Sequence, residues 1–193
     1  MEELVNPDNL VELDIRALMF GWDVHERHAL MSSVEIAVAV PERVQRLLMT
    51  AKNLVIYSCF HYPFNMVAAQ TAFSAIELAV RLRSEAECIT GRVRGLHDAM
   101  QRAIDKKWIT DDETLGHSRL QQQVFNPETG FTYIDLTAVE QYVEVLGKVF
   151  PQYRNALAHG NGIMDNLGAS MVLDVNRIVN QIFHKAPLTS VVL

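Results

Sequence analysis

The sequence predicts an all-α fold, a bundle of about five helices, and three observations carry that reading. After residue 40, apolar residues recur three and four positions apart over most of the chain. Prolines stand where the first two runs begin, and glycines where the strongest one ends. One run is apolar almost all round, as the central helix of a bundle must be.

Residues 1–40 form an N-terminal extension whose pattern leaves two forms open. Val11, Leu13, Ile15, Ala17 and Met19 alternate as a strand would, and so do Val34, Ile36, Val38 and Val40, yet either run also fits a short helix. Residues 41–193 hold the bundle. Pro41 suits the first position of a helix continued by Val44, Leu47, Ala51, Leu54, Val55 and Ser58. Pro63 opens the second, which runs to about Arg83 and is apolar on all but a stripe of Gln70, Ser74, Glu77 and Arg81.

A third helix is expected over about Gly91 to Lys107, with Val93, Leu96, Met100, Ala103 and Ile104 inward and its arginines and lysines outward. The polar connection at 110–135 contains Asn126-Pro127-Glu128-Thr129-Gly130 between two apolar runs. It closes either as a small hairpin or as an irregular loop. The fourth helix has the clearest stripe: Leu136, Val139, Val143, Leu146, Phe150, Tyr153 and Leu157. That stripe keeps its phase across Pro151, so a kinked helix is expected, ended by Gly160 and Gly162. A fifth, about Asn166 to His184, packs through Met171, Val172, Val175, Ile178, Val179, Ile182 and Phe183.

The fourth helix ends in Arg154-Asn155-Ala156-Leu157-Ala158-His159-Gly160. Arg grips a phosphate through two parallel hydrogen bonds and keeps its charge, whereas His exchanges a proton near neutrality. At about 100° per residue, Asn155 and His159 share a face that points away from the core stripe, and Arg154 lies at its flank. A plainer account is available for the same residues. Arg and His in a last turn oppose the negative end of the helix dipole, and Asn and Gly are common at helix ends.

Arg154-Asn155, three further residues and His159 resemble the signature of HEPN domains, in which an Arg and a polar residue precede a His by a few positions. The resemblance covers about Pro41 to Lys185. It implies a HEPN-like helical bundle that is commonly a homodimer, with two motifs facing each other across the interface. It further implies a metal-independent endoribonuclease of toxin–antitoxin, phage-defence or stress systems. Other members are non-catalytic modules that bind protein or nucleotide and dimerise. On the catalytic form, His159 is the general acid or base, Arg154 steadies the phosphate, and Asn155 orients His159 or touches substrate. Partners would be an RNA substrate, a second copy of the chain and a cognate antitoxin or other protein, with no cofactor and no metal. Glu77 is a further candidate for substrate contact, set against a plain ion pair with Arg81 at i, i+4.

Other groups are weaker. His25 and His28 lack further ligands at metal-site spacing. Cys88 reads as a buried thiol, and no glycine-rich phosphate loop occurs. Arg92, Arg94, Arg102, Lys106 and Lys107 read as a solvated helix face or, alternatively, as a groove guiding RNA. Net charge is −6, with seven acids against two arginines in residues 1–30, so overall charge does not mark a nucleic-acid binder. Two cysteines without a pairing motif, an acidic N-terminus and no membrane-length apolar run point to a cytoplasmic protein.

Overall fold

The computed structural model describes residues 6–111, 121–126, 130–135, 142–159 and 167–184. Helices α1 (Ile15–Met19), α2 (Val24–Ser32), α3 (Glu42–Tyr57), α4 (Phe64–Ala86), α5 (Leu96–Asp105), α6 (Tyr142–Ala158) and α7 (Gly168–His184) make up the bulk of them. A two-stranded antiparallel hairpin joins β1 (Gln121–Asn126) to β2 (Gly130–Asp135), with Phe125 opposite Phe131. The connection between α5 and α6 therefore takes the hairpin form; its tip, Pro127-Glu128-Thr129, lies outside the described residues.

α4 is the hub. It packs against α3, α5, α6 and α7. Ala68, Ala69, Ala72, Ala75 and Ala79 are fully buried along it, and these short side chains let the neighbouring helices approach closely. The larger Phe73, Ile76 and Val80 fill the space between them. At the start of α7, Gly168 lies against the backbone of Asn65, where a side chain has no room. Pro151 sits inside α6, four residues after Gly147, which itself rests on Ile104 of α5. Leu136 and Val139 of the predicted stripe, and Gly160 and Gly162 beyond it, lie outside the described residues.

The N-terminal segment departs from the strand alternative. Asp14 and Asp23 cap α1 and α2 by accepting hydrogen bonds from backbone N–H groups two and three positions on. Residues 34–40 are neither strand nor helix. Their backbone groups find side-chain partners instead: Asn176 donates to the carbonyls of Val34 and Glu35, and Asn180 both donates to Glu35 and accepts from the Ala37 N–H. The buried Lys52 ammonium also binds the Val34 carbonyl. Met31 and Val40 belong to the same apolar core as α3 to α7.

Two further expectations are corrected. The third helix begins at Leu96, not Gly91, because Gly91 (φ 98°) and Gly95 (φ 157°) adopt backbone angles no helix tolerates. Cys88 is exposed rather than buried, at φ 52° in the turn that ends α4. The buried thiol is Cys59, pushed up in pKa by its removal from water.

Candidate functional site

The position of the motif follows from how α6 is seated. Phe150 is fully buried, with its ring 5.0 Å from that of Phe73 on α4. Tyr153 meets the same Phe73 edge-on at 6.2 Å, and Leu157 packs partly against the core. That phase fixes the rest of the last two turns. Arg154, Asn155 and His159 are all exposed. The His159 N–H donates to the Asn155 carbonyl at 3.0 Å, so His159 closes the final turn directly after α6.

No side-chain hydrogen bond or ion pair engages Arg154, Asn155 or His159 among the described residues. Their polar atoms are open to a ligand. Asn155 and His159 project from one side of the helix, whereas five helical steps place Arg154 about 140° around the axis from His159. An Arg and a His so placed grip one phosphate together only through the reach of the long Arg side chain, or by contributions from two copies of the chain.

Sequence inspection passed over two neighbours on this face. Lys148 and Gln152 are exposed, and with Asn155 and His159 they recur at steps of four, three and four residues. That spacing was the available signal: an outward polar row in phase with the motif. Val145 and Val149, at 41% and 38% exposure, flank the row. The solvent side of α6 is thus a mixed surface: Lys148, Gln152, Asn155 and His159 in one row, the exposed Glu144 and Arg154 beside them, and an apolar margin.

The Glu77 carboxylate pairs with Arg81 at 3.3 Å, and Glu77 borders a cavity whose other described walls are Arg81, Arg92, Val93 and Arg94, none of them from α6. His25 and His28 are both exposed on α2. Among the described residues, no three His, Cys, Asp or Glu side chains gather as metal ligands would. Among the described residues, too, no helix is long and apolar enough to cross a membrane.

No protein-family model matches the chain, and neither a curated protein nor a solved structure matches it.

Proposed function

We propose that the protein is a metal-independent endoribonuclease of HEPN type, serving as a toxin or as a phage-defence or stress effector. One observation carries this reading: Arg154, Asn155 and His159 stand in the last turns of one helix, exposed and without side-chain partners among the described residues. RNA brings its own nucleophile, so few groups are needed. His159 takes the proton of the 2′-hydroxyl, and the 2′-oxygen attacks phosphorus. Arg154 holds the non-bridging oxygens as negative charge builds on them. The bond to the 5′-oxygen breaks, and an acid protonates the leaving oxygen. The products are a 2′,3′-cyclic phosphate and a 5′-hydroxyl. Asn155 orients His159 or contacts the substrate.

Base and acid act on opposite sides of the phosphorus, and one chain offers one such histidine. A second copy would supply the other, which also suits the angular separation of Arg154 from His159. Lys148 extends the positive surface beside the motif. The test is incubation of single-stranded RNA with the protein in excess EDTA, beside Arg154→Ala and His159→Ala. Cleavage by wild type alone, with cyclic-phosphate ends, is the expected result. A need for divalent metal, or full activity of His159→Ala, rules the mechanism out.

A second reading, a non-catalytic helical module that binds protein or nucleotide and dimerises, draws on the exposed Val145 and Val149 beside the motif. A stable dimer that leaves RNA intact would favour it.

A further inference from the structure

The chain carries a cavity of about 250 Å³, with no described wall from α6, where α4 meets the segment that leads into α5. Its walls are Glu77, Arg81, Arg92, Val93 and Arg94. Arg81 is committed to Glu77, donating through Nε to its carbonyl at 3.2 Å and through a terminal nitrogen to its carboxylate at 3.3 Å. The guanidinium groups of Arg92 and Arg94 make no hydrogen bond or ion pair among the described residues. Three guanidiniums thus meet one carboxylate in a chain whose net charge is −6.

The arginine-bearing segment is held in place. The Ile89 N–H donates to the Ser84 carbonyl at 2.8 Å. Arg102 of α5 reaches back to Ser84 Oγ at 3.2 Å and to the Gly91 carbonyl at 3.0 Å. Asp98 accepts from the Arg94 N–H at 3.1 Å. Val93, only 8% exposed, plugs the segment into the core between its two outward arginines. Fixing the backbone on both sides lowers the ordering cost of any ligand the arginines bind.

The chemistry of the walls selects the ligand. Guanidinium groups recognise phosphate through paired, charge-assisted hydrogen bonds. Among the described residues no aromatic ring lines the cavity to stack a base, and its volume falls below the roughly 300–1,000 Å³ of a usual small-molecule site. A phosphate belonging to a longer strand fits these limits better than a free nucleotide does.

We propose that Arg92 and Arg94, beside the Arg81–Glu77 pair, form a docking site for the backbone phosphates of a single RNA strand. The identity of the strand as RNA rests on the ribonuclease reading; the phosphate chemistry does not. Such a site positions the strand and contributes affinity independent of base sequence.

The test uses the full chain carrying His159→Ala, so that RNA stays intact, and a fluorescein-labelled single-stranded RNA read by anisotropy across a salt series. Adding Arg92→Ala and Arg94→Ala should weaken binding about tenfold or more at low salt. It should also flatten the plot of log affinity against log salt by roughly 0.7 per lost phosphate contact. Arg92→Lys with Arg94→Lys, which keeps the charge, should restore most of the slope but not all of the affinity. Unchanged affinity and slope in the alanine variant overturn the proposal. So does displacement of the RNA by inorganic phosphate or AMP at comparable concentration, which would make this a site for free phosphates. If wild type binds RNA through these arginines yet never cuts it, the docking site stands and the ribonuclease reading falls.

Discussion

Tyr153 packs edge-on against Phe73, 6.2 Å between ring centroids, and this contact between α6 and α4 faces the motif outward. With Tyr153 turned inward, the helical step leaves Asn155 and His159 on the solvent side. Core packing and site presentation are therefore one arrangement, and they can be separated by experiment.

On the site side, Arg154→Ala and His159→Ala should abolish RNA cleavage while leaving the unfolding free energy from urea denaturation unchanged within about 0.5 kcal/mol. Both side chains are exposed and engage no described partner, so folding has little to lose. A large drop in stability would assign the motif to structure instead.

On the core side, Phe150→Ala should destabilise the protein by about 3–5 kcal/mol, read by chemical denaturation. The ring is fully buried against Phe73. A double-mutant cycle with Phe73→Leu should return a coupling of roughly 0.5–1.5 kcal/mol, the usual worth of an aromatic pair beyond its burial. No coupling would mean that the two rings do not set the seat of α6.

Gly168→Ala tests the close approach of α7 to α4. The added methyl would collide with the Asn65 carbonyl oxygen and lie 2.6 Å from its side-chain Cγ. Backbone cannot give way as a flexible side chain does, so a loss of at least about 1–3 kcal/mol is expected in thermal melts. A neutral substitution would show that α7 starts farther from α4.

The N-terminal segment should make stability depend on acid. Asp14 accepts two hydrogen bonds from the Arg16 side chain, at 2.9 and 2.7 Å, and one from the Tyr62 N–H at 2.9 Å. The Arg16 side chain chiefly, with the Tyr62 and Arg16 N–H groups, holds this carboxyl well below the usual carboxylate range, against the opposing effect of burial. A depressed folded-state pKa stabilises above the ordinary value of about 3.9, and the gain is lost as pH falls toward the folded value. Asp14→Asn should therefore cost about 1–3 kcal/mol at pH 7. The gap from wild type should narrow steadily below about pH 4. Parallel curves at all pH values would refute the linkage.

Asn176→Ala probes the segment at 34–37. Its fully buried amide donates to two carbonyls there, at 3.2 and 3.0 Å. Truncation should cost roughly 1–3 kcal/mol and loosen that segment. Faster hydrogen exchange at the Ala37 N–H, which Asn180 binds, would report it. Unchanged exchange there would mean the segment holds itself.

Periodicity alone determined a good deal of this protein. The apolar spacing around Val44, Phe73 and Ile178 marks α3, α4 and α7 to within a few residues, that around Phe150 marks the end of α6, and the all-round apolarity of α4 marks the hub. The phase through Tyr153 and Leu157 also sends Asn155 and His159 outward. Each of these is a local property, written in residues three and four apart. Tertiary structure decided what depends on remote partners. The alternation at 34–40 looked strand-like, but amides from α7, some 140 residues on, satisfy that backbone in place of a second strand. The arginines at 92 and 94 fell into an apparent helix, but Gly91, Gly95 and the reach of Arg102 hold them on a loop beside Glu77. A pattern of apolar spacing carries the period of an element and the face it buries. It carries no record of which distant donor will claim a carbonyl, and that is where the cavity and the extension took their form.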